Sequence, residues 1–489
     1  MEGSKKIGNA TKWSVLTEIA AKLITPISNM ILARLLTPEA FGVVATATMI
    51  FSFADMFTDS GFQKYLIQHE FENEKDREES TNVAFWTNMG LSIVLWFFIA
   101  VFSDQIAALV GNPGLGTVIT ISCASLPLTS FSSIQMALYR RDFDFKTLFY
   151  VRIVAVLIPL FVTIPLAFLT HSYWALVVGT LCGNLSNAVI LTIRSSWKPK
   201  RFYSVKKLKE MLSFSIWSLV EAVLIWLTNY VGVFIVGSFL NSYYLGLYKT
   251  SMNTVNQIMN LVTSATSAVL FSALSRAQTD KKMFERTFFT FQRNVGLLIV
   301  PMGIGIFVFQ DFVTSFLLGN QWEEAAGFIG LWGLVNAFKI LLSNYCAEAY
   351  RAQGRPKVSV FVQISQLVVL VPAIIFGAQK GFTALYIMRS LTALELIAVN
   401  LITIWHVIGI SPFKMTKNIM PEVFAALVMG GIGFLLRDVN SSVLWSLFSI
   451  VICIFVYFAI IVINPMTRKQ FTPIMVKTYK NAVNRIHKK

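Results

Sequence analysis

Polar side chains recur at helical spacing within several apolar stretches of this sequence, and their types suit binding better than bond-breaking chemistry. Intervals of three and four residues place the clearest set on one stripe of a helix: Lys249, Asn253, Asn256, Gln257, Asn260 and Ser264. An ammonium group followed by amides can hold an anion through charge and hydrogen bonds. Lys249 has no acidic residue three or four positions away. We therefore take Lys249, Asn253, Gln257 and Asn260 as candidate binding residues.

Three other apolar stretches carry charged groups. The first contains Glu18 and Lys22 one turn apart, with Asn29 further along the same face. Asp55 lies on a polar stripe of the second stretch, and Glu221 lies in the seventh. Lys22 and Asn29 join the candidate binding set, and the three carboxylates are candidates for ion coupling. For Glu18 and Lys22, a pair that neutralises itself inside a helix bundle is an equally good explanation.

The sequence contains no motif for covalent catalysis, nucleotide binding or metal binding. There is no Walker sequence, no G-x-G-x-x-G and no H-E-x-x-H, and the four His and four Cys are scattered. We therefore predict that the protein is not an enzyme and that it holds no cofactor and no metal.

The composition indicates which elements must position these groups. Charged residues make up 13% of the 489 residues and hydrophobic residues 55%, with a net charge of +16. Soluble domains carry about a quarter charged residues, so there is too little charge here to cover several soluble domains. The basic residues form short clusters between apolar runs, a pattern typical of loops beside anionic lipid headgroups and not of a nucleic-acid surface. We therefore predict an all-α integral membrane protein.

A helix that spans a membrane needs about 20 mostly apolar residues. On this rule the sequence predicts fourteen transmembrane helices, near residues 11–34, 41–62, 82–102, 116–138, 147–169, 173–194, 212–237, 244–272, 291–309, 325–349, 358–378, 381–406, 419–436 and 443–464. Of the 41 basic residues, 31 fall in alternate connecting segments that include both termini, and only Arg34, Lys380 and Arg437 fall in the opposite segments. The positive-inside rule therefore places both termini in the cytoplasm.

An offset of 204 residues relates the two halves of the chain. It aligns Trp13-Ser14 with Trp217-Ser218, Gly42 with Gly246 and Thr46 with Thr250. The first span is thus related to the seventh, and because six crossings separate them, both halves have the same orientation. Such parallel repeats are typical of alternating-access transporters. The candidate residues lie on repeat-related spans, which predicts a central cavity lined by both halves.

These observations predict five regions. They are an N-lobe of six helices (1–196), a cytoplasmic interfacial linker (197–211), a C-lobe of six helices (212–410), two further helices (411–466) and a basic amphipathic cytoplasmic tail (467–489). With no nucleotide site, uphill transport must draw on an H⁺ or Na⁺ gradient or on consumption of the substrate on the far side.

Five further charged residues lie within or at the ends of predicted spans: Arg152, Arg293, Lys339, Arg389 and Glu395. Long basic side chains near helix ends commonly extend towards the headgroups. We favour this interpretation for these residues over a functional one.

Three stretches carry a family resemblance. Residues 31–68, ALYRRDFDFK at 137–146 and LLGNQWEEA at 317–325 resemble the polysaccharide-transporter family of lipid-linked oligosaccharide flippases, within the multidrug/oligosaccharidyl-lipid/polysaccharide flippase superfamily. The resemblance implies a bacterial inner-membrane protein that turns an undecaprenyl-diphosphate-linked oligosaccharide from the inner to the outer leaflet for cell-surface polysaccharides such as lipopolysaccharide. It also implies a cationic central cavity, which by position favours Lys22 and Lys249.

Two alternatives remain open. One is an ion-coupled multidrug exporter of the same superfamily, although such exporters usually have twelve spans and acidic cation sites. The other is a membrane polysaccharide polymerase or ligase, which the short external loops argue against. The partners we expect are the lipid-linked oligosaccharide, membrane lipids and, beyond these, polysaccharide-assembly proteins around a monomer, with no nucleic acid.

Overall fold

The computed structural model describes residues 2–58 and 61–463 of the chain, and the regular secondary structure within these residues is helical. The α-helices are α1 (Glu2–Leu35), α2 (Pro38–Thr58), α3 (Phe62–Gln68), α4 (Glu74–Val101), α5 (Ser103–Leu109), α6 (Gly116–Cys123), α7 (Ser125–Arg141), α8 (Phe145–Ile158), α9 (Ile164–Thr170), α10 (Trp174–Arg194), α11 (Val205–Phe239), α12 (Ser242–Arg276), α13 (Lys281–Val308), α14 (Gln310–Leu317), α15 (Ala326–Lys339), α16 (Tyr345–Ala352), α17 (Pro356–Gln379), α18 (Phe382–Ile408), α19 (Pro412–Arg437) and α20 (Val443–Ile463). Pro159–Thr163 and Ile340–Asn344 are π-helical, and Asn320–Ala325 is a 3₁₀-helix. The chain divides into two compact units, which we call unit 1 (Met1–Thr250) and unit 2 (Ser251–Lys489).

Twelve helical stretches of the described residues are long and apolar enough to cross a membrane, and there are thirteen if Ser242–Ser264 and Val269–Arg276 form one broken span. The twelve coincide with twelve of the predicted segments, and the broken pair coincides with the segment at 244–272. The first predicted segment lies in α1, which is not among the twelve. The class of multi-pass helical membrane protein is confirmed, whereas the count of fourteen stays a prediction.

Several helices begin well before the apolar segments that predicted them, and three of these have capped starts. The helices α4, α13 and α19 start at Glu74, Lys281 and Pro412, seven to ten residues ahead of the predicted positions 82, 291 and 419. Each start is capped by a side chain that accepts a hydrogen bond from a first-turn amide: Asn73, Asp280 and Ser411. Hydropathy detects only the part of a helix that is apolar enough to lie in hydrocarbon, so the predicted segments omit the polar first turns.

In unit 1, the N-terminal turns of α2 and α12 cross at two glycines with no room for a side chain. A Cβ atom at Gly42 would overlap the carbonyl oxygen of Ser242, and one at Gly246 would overlap that of Pro38. Gly42 and Gly246 are 204 residues apart, as are Pro38 and Ser242, and this is the offset found between the sequence halves. The contact is therefore symmetric, and this symmetry supports the predicted relation between α2 and α12.

The loop after α5 strengthens this crossing. Ser242 Oγ donates a hydrogen bond to Asn112 Oδ1 at 2.5 Å, and Asn112 Nδ2 donates to Thr46 Oγ1 at 3.3 Å. Gly111 has a φ of 75°, a conformation that favours glycine, and it lies against the backbone of Gly237. These contacts explain why the first turns of α12 belong to unit 1.

The predicted linker at 197–211 belongs to unit 1, and its residues from Val205 onwards form the first turns of α11. Lys207 Nζ pairs with Asp76 and, at 3.3 Å, with Glu79 Oε2. Burial, the largest single influence, lowers the pKa of Lys207, but the hydrogen bonds and charges of these two carboxylates together outweigh it and raise the pKa. Met211 is fully buried in an apolar cluster, whereas Val205 is exposed. The tail at 467–489 lies outside the described residues.

Candidate functional site

Lys249 lies at one end of a chain of contacts that crosses three helices of unit 1. Its Nζ lies 4.9 Å from the ring centroid of Tyr230 on α11, close enough for a cation–π interaction. The Tyr230 ring stacks on Trp226 with centroids 5.7 Å apart. Trp226 Nε1 in turn donates a hydrogen bond to Ser52 Oγ on α2 at 3.2 Å. Lys249 is half-buried and forms no ion pair within the described residues.

The two aromatic rings were not among the candidates read from the sequence. Trp226 and Tyr230 are four residues apart on α11, a spacing that places both rings on one face of a helix. Phe53 of α2 packs edge-on against Trp226 with centroids 4.9 Å apart. Rings of this kind present flat apolar faces that also tolerate polar neighbours. An aromatic pair one turn apart, opposite a predicted cation, was the signal that could have identified them.

Two hydroxyl groups hold Asp55, and no ion pair to it is formed within the described part of the chain. Its Oδ1 accepts hydrogen bonds from Thr129 Oγ1 on α7 at 3.0 Å and from Thr58 Oγ1 at 3.4 Å. The side chain is half-buried. Both hydrogen bonds go to Oδ1, and the role of Asp55 in ion coupling stays a prediction.

The remaining candidates of unit 1 lie on α1 and α11. Lys22 and Asn29 are both half-buried on α1. No hydrogen bond within the described part of the chain involves the Asn29 side chain. The side chains of Glu18 and Glu221 lie outside the described residues, so their roles in ion coupling stay predictions.

In unit 2, the amide stripe of α12 divides into two faces. Asn253 and Asn260 are exposed and Gln257 is half-buried. Asn256, by contrast, is held against α15, where its Oδ1 accepts hydrogen bonds from Trp332 Nε1 at 3.4 Å and Asn336 Nδ2 at 3.1 Å. Three candidate residues thus remain accessible, whereas Asn256 is fixed by its neighbours.

Three of the five charged residues expected at headgroup level have partners inside the helix bundle. Arg293 pairs with the buried Glu422 through Nε and Oε1 at 3.1 Å. Arg389 is only 5% exposed, and both Arg389 and Lys339 lie against the ring of Trp332. Headgroup contact is therefore wrong for Arg293, Arg389 and Lys339, because hydropathy cannot show which side chains of other helices face a charge.

The other two charged residues, Arg152 and Glu395, have different surroundings. Arg152 is exposed, as a side chain directed to the headgroups would be. Glu395 does not pair with Arg389 among the described residues; its Oε1 accepts a hydrogen bond from Ser365 Oγ on α17 at 3.4 Å.

Together, the fold and the composition define a multi-pass α-helical membrane protein, in which Lys249, Lys339 and Arg389 form no ion pair with the residues that the structure describes. Residues 31–327, more than half of the chain, match the model of the family described as polysaccharide biosynthesis protein. The chain belongs to this family, and the resemblance to polysaccharide transporters seen in its sequence is confirmed.

Relatives and a solved structure agree with this assignment. The chain is 22% identical over 384 residues to the lipopolysaccharide biosynthesis protein WzxC of Escherichia coli, covering 77% of this chain and 76% of that protein. It is also 22% identical over 380 residues to the succinoglycan biosynthesis transport protein ExoT of Rhizobium meliloti, covering 77% and 76%. The lipid II flippase MurJ in its inward closed conformation shares the fold, with a TM-score of 0.77, 14% identity and coverage of 94% of this chain and 100% of that chain.

Proposed function

We propose that this protein is a flippase that moves an oligosaccharide linked to undecaprenyl diphosphate from the inner to the outer leaflet of a bacterial cytoplasmic membrane. The family, the names of WzxC and ExoT and the fold shared with a lipid II flippase support this proposal. The observation that carries it is the ammonium group of Lys249, which lies beside the Tyr230 and Trp226 rings and forms no ion pair within the described residues. Such a group attracts a diphosphate more strongly in a partly dry cavity than in bulk water.

The mechanism that we propose is alternating access. The diphosphate–sugar head enters from the cytoplasmic side and meets Lys249 and Lys22, while the polyprenyl chain stays in lipid. The amides of Asn253, Gln257 and Asn260 supply further hydrogen bonds to the head. Glu18, Asp55 and Glu221 are the carboxylates that would take up H⁺ or Na⁺ and couple transport to an ion gradient.

The experiment that tests this function uses purified protein in lipid vesicles. A labelled oligosaccharide on undecaprenyl diphosphate is incorporated, and the fraction that reaches the opposite leaflet is measured with a quencher that cannot cross the membrane. We expect fast exchange with the protein and slow exchange without it. Efflux of cationic dyes from cells, without exchange of the lipid-linked sugar in vesicles, would instead identify a multidrug exporter.

We also propose that both termini lie in the cytoplasm. The charge distribution supports this orientation, since 31 basic residues lie on one side and three on the other. Two of those three lie over aromatic rings at helix ends: Lys380 Nζ is 4.2 Å from the Phe376 ring and Arg437 Cζ is 4.3 Å from the Phe434 ring. A reporter enzyme that is active only outside the cytoplasm, fused after Lys489, should therefore be silent, and strong activity would show that the C-terminus lies outside and would contradict this orientation.

A further inference from the structure

Two cations lie against one tryptophan ring in the interior of unit 2. Lys339 Nζ is 5.4 Å and Arg389 Cζ is 4.7 Å from the ring centroid of Trp332. Lys339 lies thirteen residues from both Ala326 and Ala352, roughly 20 Å along the helical stretch in either direction. A lysine side chain is much shorter than this, so Lys339 cannot place its charge at either headgroup layer.

Arg389 offers an unused edge of its guanidinium group. Its Nη1 donates a hydrogen bond to Thr392 Oγ1 at 3.1 Å. Its Nε is buried and has no hydrogen-bond partner within the described residues. A guanidinium edge that presents two N–H groups matches two oxygens of a carboxylate or phosphate. A buried donor without a partner is unfavourable, so this edge indicates a ligand that supplies oxygens.

Asn256 adds a third donor with a fixed orientation. Because its Oδ1 accepts from both Trp332 Nε1 and Asn336 Nδ2, its Nδ2 faces away from these two donors. The π-helical turn Ile340–Asn344 follows Lys339 directly, and single π-turns inside α-helices are frequent at functional sites. The polar groups around the Trp332 ring therefore offer hydrogen atoms and positive charge.

Among the described residues, no acidic side chain balances the charges of Lys339 and Arg389. Neither Lys339 nor Arg389 forms an ion pair within residues 2–58 and 61–463. The two cations lie within about 10 Å of each other, since both approach the same ring. Like charges repel more strongly in a protein interior than in water. An anion bound between or beside them would remove this repulsion.

We propose that Lys339, Arg389 and Asn256 form a binding site for a phosphate oxyanion in unit 2, in addition to Lys249 in unit 1. The fork of Arg389 selects an oxyanion over a halide because it matches paired oxygens. Free phosphate or pyrophosphate and the diphosphate of a lipid-linked substrate share this chemistry. Only the second source rests on the proposed function, and binding can be measured without transport.

The test is the thermal unfolding midpoint of the purified full-length protein in detergent. One arm titrates inorganic pyrophosphate against chloride at the same ionic strength, and a second arm titrates a polyprenyl diphosphate. We expect a saturable rise in the midpoint of the wild-type protein. The variant Lys339→Gln should bind the same probe about tenfold to a hundredfold more weakly, as expected for the loss of a charge-assisted hydrogen bond. Its midpoint without phosphate should equal or exceed that of the wild type, because the repulsion from Arg389 is gone.

Lys380→Gln is the matched control, since Lys380 lies over the Phe376 ring but is exposed at the end of α17. It should leave the response to either probe unchanged. A lower midpoint for Lys339→Gln together with an unchanged response would mean that the cation–π contact serves packing alone, and the proposal would be overturned. If Lys339→Gln does not accumulate, Arg389→Lys replaces it: this variant keeps the charge but loses the fork, so unchanged pyrophosphate affinity would equally overturn the site.

The two arms separate the sources of the phosphate. A Lys339-dependent rise with both probes indicates a site open to free phosphate, and a rise with the polyprenyl diphosphate alone indicates a subsite for the lipid-linked substrate. No Lys339-dependent rise in either arm contradicts the proposal. The vesicle transport assay is independent of this result, so failure here would leave the proposed function untouched.

Discussion

Replacing Lys249 with Gln is expected to abolish export of the lipid-linked oligosaccharide while the protein remains at near-normal abundance in the membrane. Lys249 lies seven residues inside α12, roughly 10 Å from its start at Ser242. With no ion pair among the described residues, its charge is available to a ligand. Loss of a charge-assisted hydrogen bond weakens binding by about 1.5–3 kcal/mol, which corresponds to about tenfold to a hundredfold. The measurement is complementation of glycan export in a deletion strain, with the protein level determined alongside.

Two further variants distinguish charge from shape at this position. Lys249→Arg should keep partial activity, since the positive charge and the contact with the Tyr230 ring are both retained. Lys380→Gln removes a lysine that also lies over an aromatic ring but is exposed, and it should export normally. Full export by Lys249→Gln would remove this residue from the site and would weaken the cationic-cavity mechanism as a whole.

Gly42→Val is the second substitution for which a large effect is expected. On the predicted topology, the crossing of α2 and α12 lies at the outer end of unit 1, and in the alternating-access mechanism that we propose it helps to close the path to the outside. A valine would force its side chain into the carbonyl group of Ser242, so the two helices could not meet. Overpacking of this kind costs typically 1–3 kcal/mol, enough to shift a balanced equilibrium between open and closed states by about fivefold to a hundredfold. We expect the outer end to stay open and export to be lost.

The readout combines export with accessibility. Thr46 is buried one turn below Gly42, so Thr46→Cys should react with an impermeant maleimide in the Gly42→Val background and be protected in the wild-type background. Gly183→Val in α10 is the matched control because a Cβ atom there meets no atom within 4 Å. Gly246→Val should reproduce the phenotype of Gly42→Val, since the contact is symmetric. Normal export by either variant would show that transport does not require this crossing.

The sequence predicts the surroundings of some cations in the helix bundle and not of others. The spacing on α12 identified Lys249 as a cation with no carboxylate three or four positions away, because this property depends only on residues of the same helix. For Lys339 and Arg389, the neighbouring residues along the chain do not indicate which groups surround the charge. Trp332 contacts both cations; it lies on α15, two turns from Lys339 and on a different helix from Arg389. Asn256, which accepts a hydrogen bond from Trp332, lies on α12. The same holds for Arg293, whose partner Glu422 is 129 residues away in the chain.

The sequence by itself determined the class of protein, the alternation of basic segments, the family and the stripe that contains Lys249. These properties depend on composition, on periodicity along one helix and on matches between chains, all of which are linear. Only the tertiary structure decided that Tyr230 and Trp226 lie beside Lys249, that Gly42 meets Gly246, and that Lys339 and Arg389 share one ring. These contacts depend on which faces of distant helices meet. That choice is set by packing over the whole bundle, which hydropathy and spacing do not record.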